Sequence, residues 1–314
     1  MIHANDREHE HCPRDKGRER LVEPTNTREG VRQVSDNNSA STTTSSASLA
    51  VPGAELYYEV CGSGPVLLVL QGGAGGAEGS AGLCRNMADR FTIVSYDRRG
   101  FTRSPLDGLE GSAAGVKEHA DDASRLLAAV TSEPGFVFGN SIGALIGLEL
   151  LARHPDQVRR LIAHEPPLPQ LLPAAERDAA VSAQEHVEET YRREGLQAAM
   201  RAFAAIAGLD FSDREPDVEM PAPDARRMAD TAYFLGTDAP AARQYRVDLD
   251  ALEGFTDRLV AAAGSTSQGR WPHDCTSALA ARLNSSFLES PGGHSGYVMR
   301  PKAFASWLVD ALER

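Results

Sequence analysis

The sequence has no apolar run long enough to cross a bilayer: its runs reach about four to eight residues, against the roughly 20 that a spanning helix needs. No membrane span is expected. The first residues, with Asp6, Arg7, Glu8, Glu10, Arg14 and Asp15, also lack the apolar core of a secretory signal, so cytoplasmic residence is the expectation. Cysteine is scarce. The four present, Cys12, Cys61, Cys84 and Cys275, have no close paired spacing, so neither a zinc knuckle nor a disulfide framework is expected. Positive charge is in deficit. Lys and Arg number 32 against 44 Asp and Glu, and a formal net charge of -12 repels phosphates, which argues against nucleic acid as the main partner.

Apolar periodicity is missing from the start of the chain. Residues 1–48 mix charges with a polar tract running from Ser35 to Ser48, and such a segment cannot bury enough surface to offset the entropy of ordering it. A disordered polar tail is expected there. His3, His9, His11 and Cys12 could ligate a metal in principle, but chance clustering in a polar tail is the better reading, and no metal is expected.

Beyond the tail, strands and helices alternate. Glu55 to Val60, behind the turn residues Pro52-Gly53, has the pattern of a hairpin arm, while Val66 to Leu70 and Phe91 to Ser95 are short and apolar enough to be buried strands. Val116 to Val130 carries Ala120, Ala123, Leu126, Leu127 and Val130 at helical spacing, with charges on the opposite face. Ile142 to Ala152 is apolar on nearly all sides and ends at His154-Pro155. This alternation implies a mostly parallel sheet with helices on both faces, and 41% hydrophobic residues suffice for its core.

Between the strand pattern Phe136-Val137-Phe138 and the helix pattern from Ile142 stands Gly139-Asn140-Ser141-Ile142-Gly143. A serine on so sharp a strand-to-helix turn is held in a strained conformation that leaves room only for small flanking residues. Ser141 would then stand exposed above the sheet edge, with the Ile142 N–H of the first helical turn pointing at the place where an oxyanion would form. Near the C-terminus, Pro291-Gly292-Gly293-His294-Ser295-Gly296-Tyr297 follows the apolar run Ser286 to Ser290 and precedes a terminal helix from Pro301 to Leu312. Of the nine histidines, His294 is the one on such a glycine-rich loop, free to swing over the sheet edge toward Ser141.

From about Leu49 onward the chain resembles the serine-nucleophile branch of the α/β-hydrolase superfamily. Four blocks carry the resemblance in order: Gln71-Gly72-Gly73-Ala74-Gly75-Gly76, Tyr96-Asp97-Arg98-Arg99-Gly100-Phe101 with Ser104, the Ser141 turn, and the His294 loop. The first is similar to the glycine loop of proline-iminopeptidase-like members, with Gln71 in place of their histidine and Ala74 in place of their proline. The resemblance implies an α/β-hydrolase fold, a mostly parallel doubly wound sheet. Its core would span residues 49–167 and 256–314, with a helical cap of residues 168–255 inserted after the sixth strand. It implies Ser141 as nucleophile, His294 as base, and an oxyanion hole built from the N–H groups of Gly73 and Ile142. Asp97 and Arg98 would brace the loop around Ser104.

The acid departs from the commonest family pattern. Most members carry an aspartate just after the seventh strand, but here that strand, Asp257 to Ala263, runs into Gly264-Ser265-Thr266-Ser267-Gln268-Gly269, which holds no carboxylate. The preceding strand, Val158 to Ala163, ends in His164-Glu165-Pro166-Pro167. Reactive groups in an open parallel sheet collect beyond the carboxyl ends of its strands, and the histidine needs only a buried carboxylate, whichever neighbouring strand delivers it. Some members, certain haloalkane dehalogenases among them, place a glutamate after the sixth strand. Glu165 is the first choice, and Asp274, at the start of the next helix, the second.

The cap would be alanine-rich and helical over Ala174 to Arg193 and Leu196 to Ala207, with loops at Asp213 to Pro223 and Gly236 to Pro240. Met200, Phe203, Ile206, Met228, Tyr233 and Phe234 are the cap residues that could line a pocket. The implied activity is cofactor-independent hydrolysis of a small-molecule ester, thioester, amide or related carbonyl substrate through an acyl-enzyme. A serine nucleophile makes the dehalogenase and epoxide-hydrolase branches, which need a carboxylate there, unlikely candidates. A second class stays open because the usual aspartate is absent: ligand-binding or receptor-like members with little or no turnover. An assembly of identical copies is also left open.

Overall fold

Alternation along Val66–Leu70 sends Leu68 and Leu70 to one face of a sheet and Leu67 and Val69 to the other, and all four are buried. A strand buried on both faces needs helices on both, and the computed structural model, which describes residues 43–73, 75–108, 114–220, 222 and 224–314, has them. The strands are β1 (Thr44–Val51), β2 (Ala54–Gly62), β3 (Val66–Leu70), β4 (Thr92–Tyr96), β5 (Gly135–Asn140), β6 (Val158–His164), β7 (Leu259–Gly264) and β8 (Ser286–Ser290). They lie in the order β1-β2-β4-β3-β5-β6-β7-β8, antiparallel from β1 to β4 and parallel from there on.

The helices are α1 (Ala81–Met87), α2 (Val116–Val130), α3 (Ile142–Arg153), α4 (Ala174–Glu194), α5 (Leu196–Ala207), α6 (Ala225–Tyr233), α7 (Ala239–Gln244), α8 (Trp271–Leu283), α9 (Gly296–Met299) and α10 (Pro301–Glu313). Leu126 and Leu127 of α2, Leu145 and Leu148 of α3 and Leu279 of α8 pack on the Leu68 face, while Leu83 and Met87 of α1 and Phe304 and Leu308 of α10 pack on the Leu67 face. Between β6 and β7, α4 to α7 form the expected helical cap, whose Ala180, Val187, Ala199 and Phe234 extend the Leu68-side cluster.

Four expectations need correction. Residues 44–48 are not part of a disordered tail: they pair with β2, from Thr44 opposite Cys61 to Ser48 opposite Tyr57. Main-chain hydrogen bonds make that strand, so its polar, largely exposed side chains gave no apolar signal. The rest of the tail, with His3, His9, His11 and Cys12, lies outside the described residues. Cys61 and Cys84 are joined in a disulfide, their Cα atoms 6.2 Å apart. Their 23-residue separation hid it, because β2 and α1 meet only once the sheet is formed. Gly236 to Pro240 is not a loop: α6 runs through a π-helical turn, Phe234–Asp238, into α7, and Pro240 occupies the first turn of α7, where a missing N–H costs nothing. Finally, β7 starts at Leu259 rather than Asp257. Among the described residues no helix is long and apolar enough to cross a membrane, and no cluster of His, Cys, Asp or Glu could hold a metal ion.

Candidate active site

The chain leaves β3 for β4 on one side and returns to β5 on the other, so the connections diverge at the carboxyl ends of β3 and β5, the usual place for a ligand crevice in an open α/β sheet. The loop Gln71 to Gly76 leaves β3 there, Ser141 follows β5, Glu165 follows β6, Gly264 ends β7, and the His294 loop follows β8.

Ser141 has φ 55 and ψ -121, a conformation rare for a residue with a side chain. The turn is held by Ser141 N–H donating to the His164 carbonyl at 2.9 Å and by its own carbonyl accepting from Ala144 N–H at 2.9 Å. Both flanking glycines are sterically required: a Cβ on Gly139 would strike the Gly143 carbonyl, and one on Gly143 the Leu70 carbonyl. Ile142 begins α3, which leaves its N–H without an intrahelical partner.

Glu165 also has positive φ, at 48, immediately before Pro166. Its N–H donates to the Ala262 carbonyl at 2.9 Å, fixing the backbone to β7. Its side chain, 1% exposed, then crosses to the tip of β7: Oε1 accepts from Gly264 N–H at 2.9 Å, and Oε2 lies 2.5 Å from His294 Nδ1. Burial alone would raise the carboxyl pKa, but the hydrogen bond and charge of His294, with the Gly264 N–H, hold it down at about 2. Of the two carboxylates expected as candidates for the acid, Glu165 is the one that the fold brings to His294. Asp274 stays away: its carboxylate is 44% exposed on the first turn of α8 and faces His273 at 3.6 Å.

His164 is a residue that sequence reasoning passed over. Fully buried, it links three strands, with Nδ1 2.7 Å from Asn140 Oδ1 and Nε2 2.9 Å from Ser290 Oγ. The Asn140 acceptor makes Nδ1 the protonated nitrogen and leaves Nε2 to accept the serine hydroxyl. Burial pushes its pKa down to about 4, so it stays neutral beside the Glu165–His294 pair. A histidine directly after the buried apolar run Leu161-Ile162-Ala163 was the available signal.

The glycine loop is pinned from several sides. The Gln71 amide donates to Ser80 Oγ and accepts from Tyr297 OH at 2.7 Å. Arg98 Nη1 donates to the Gln71 carbonyl at 3.0 Å, Nη2 to the Gly73 carbonyl, and Nε to Asp238 Oδ2 of the π turn at 2.9 Å. Asp97 braces the loop around Ser104, as expected: its carbonyl accepts from Ser104 Oγ at 2.8 Å, and its carboxylate takes Ala77 N–H and Arg103. Arg98 serves the glycine loop instead. Gly73 itself has φ 35 and faces the Phe234 ring, which stacks edge-on with Phe203 at 5.3 Å. Of the other cap residues considered as pocket walls, Met228 is 47% exposed, and Tyr233 packs on Phe101. A cleft of about 440 Å³ borders His294 and is lined by Leu209, Phe211, Thr266, Arg270 and Met299, among others.

A model of the alpha/beta hydrolase fold family matches residues 65–265. The chain is 38% identical over 277 residues to the uncharacterized hydrolase YraK of Bacillus subtilis strain 168, covering 87% of this chain and 97% of that one. Among solved structures, a putative epoxide hydrolase from Pseudomonas aeruginosa superposes with TM-score 0.65 at 18% identity, over 86% of this chain and 95% of the other. A thermophilic esterase from Thermogutta terrifontis does so with TM-score 0.64 at 20% identity, over 85% and 98%.

Proposed function

Because the chain is a hydrolase of the α/β-hydrolase fold family, we propose that it cleaves a small-molecule ester, thioester, amide or related carbonyl compound through an acyl-enzyme on Ser141. The observation that carries this reading is the 2.5 Å contact of His294 Nδ1 with a Glu165 carboxylate that is 1% exposed and otherwise bonded to Gly264 N–H. A carboxylate so placed keeps the Nδ1 proton on His294 and leaves Nε2 as the base.

In this mechanism Ser141 Oγ attacks the carbonyl carbon while His294 Nε2 takes the hydroxyl proton, and Glu165 stabilises the resulting imidazolium. The N–H groups of Gly73 and Ile142 receive the oxyanion. Collapse of the tetrahedral intermediate breaks the bond to the leaving group, which takes the proton from His294. Water then repeats the sequence, giving its proton to His294 and its oxygen to the acyl carbon, and Ser141 recovers its proton as the acid departs. The Phe234 and Phe203 rings offer an apolar wall to the acyl portion. A ligand-binding role drew its support from the missing aspartate after β7, and the Glu165 carboxylate at the β7 tip removes that support.

The test is covalent labelling by a fluorophosphonate. Labelling lost in Ser141→Ala, strongly slowed in Glu165→Gln and unaffected in Asp274→Asn is the expected result. An intact, correctly folded protein that takes up no label would overturn the proposal in favour of a binding role.

A further inference from the structure

We infer that Arg98 and Asp238 are positioning residues for the oxyanion, through which the cap aims the Gly73 N–H. The inference rests on the serine-hydrolase reading above. Arg98 is 2% exposed and Asp238 fully buried, and the guanidinium spends all three of its nitrogens on two kinds of partner: Asp238 of the cap, and the carbonyls of Gln71 and Gly73 in the glycine loop.

Those two carbonyls flank the Gly72–Gly73 peptide. Each peptide unit is planar, so fixing a carbonyl fixes the N–H across from it. Arg98 therefore sets the peptide planes on both sides, and the Gly72 carbonyl between them is held by Gly75 N–H at 2.9 Å. The Gly73 N–H, opposite the Gly72 carbonyl, is left with one direction. At φ 35 only glycine takes this shape readily, and glycine is also free to leave it unless something holds it. Arg98 is that hold.

Stability does not account for the pair. A buried ion pair contributes little net stability, because desolvation offsets its attraction. Among the described residues, this one also leaves Asp238 Oδ1 without a hydrogen bond, and both nitrogens of buried His119, whose Nε2 is 3.6 Å away, lack one too. Orientation is what it supplies. Asp238 reaches Arg98 from the π turn that interrupts the α6–α7 helix, an irregularity that recurs at functional sites. The other end of that turn is Phe234, whose ring would lie 3.6 Å from a Cβ on Gly73. Both ends of one turn of the cap thus bear on one loop, so cap and oxyanion donor move together.

The experiment compares a nitrophenyl ester with its thiono analogue in the wild type, Asp238→Asn and Arg98→Lys. Sulfur is a larger and poorer hydrogen-bond acceptor than oxygen, so a well-aimed oxyanion hole favours the oxo ester. Asp238→Asn should lower kcat for the oxo ester by about 10-fold and Arg98→Lys by about 100-fold, with KM within about twofold and the oxo/thiono ratio falling in step. A loss shared equally by both substrates, with the ratio unchanged, would overturn the inference. Should Arg98→Lys not fold, the near-isosteric Asp238→Asn carries the comparison alone. Turnover that survives Ser141→Ala would instead overturn the underlying serine-hydrolase reading, an outcome distinct from an unchanged ratio in a Ser141-dependent enzyme.

Discussion

The Glu165 side chain starts just past the end of β6 and ends on β7, its Oε1 2.9 Å from the Gly264 N–H, 99 residues later in the chain. The carboxylate proposed as the acid therefore comes from the end of β6 in sequence but sits at the β7 tip in space. The glutamate side chain, one methylene longer than aspartate's, bridges the gap between adjacent strands, about 4.8 Å in a sheet.

That relocation is testable by moving the acid back. Glu165→Ala should reduce kcat by about three to four orders of magnitude, the scale of losing the histidine's carboxylate. Adding Thr266→Asp, beside the His294 loop and past the end of β7, should recover about 10-fold or more of the loss, on the scale of a general-base contribution. Steady-state kinetics on an activated ester read both changes.

The Ser141 turn should tolerate no side chain at either flank. Gly143→Ala and Gly139→Ala force a Cβ into main-chain carbonyls that cannot move aside, so each should cost about 3 kcal/mol or more and yield little folded protein. Among the described residues a Cβ on Gly254 meets nothing within 4 Å, so Gly254→Ala should leave the melting temperature within about a degree or two. Thermal melts followed by circular dichroism separate the cases.

Acid should weaken the fold through His164. Its folded pKa of about 4 lies below the ordinary value of 6.5, so between the two the unfolded chain binds a proton that the folded chain refuses. Stability that is full above pH 6.5 is then lost as pH falls, by up to about 1.4 kcal/mol per unit. The depressed Glu165 carboxyl adds its own loss only below about pH 4.5. Urea midpoints measured from pH 7 to 4.5 should fall more steeply in the wild type than in His164→Gln; equal slopes would remove His164 as the cause.

Reduction should destabilise the protein. A cross-link closing a 23-residue separation is worth roughly 3 kcal/mol in the chain-entropy account. A reducing agent, or the pair Cys61→Ser and Cys84→Ser, should lower the melting point by several degrees. A peptide map without reductant should contain Cys61 linked to Cys84.

What the sequence determined by itself was whatever a few neighbouring residues can encode. The Ser141 turn is legible because strand, small flanking residues, serine and helix follow one another directly, although the Leu70 and His164 carbonyls that brace it come from other strands, and the parallel sheet follows from short apolar runs such as β3 and β7 separated by helical spacing. β1 was the exception on that local scale, because its order comes from main-chain bonds to β2 and not from apolar side chains. Only the tertiary structure decided the rest. That Glu165 and not Asp274 meets His294, the union of Cys61 with Cys84, and the route from Asp238 through Arg98 to Gly73 each depend on which elements the sheet order makes neighbours. Glu165 and His294 are 129 residues apart, and Arg98 and Asp238 140. No local pattern carries information over that span, because the partners acquire a distance and an angle only when the strands and the cap have packed.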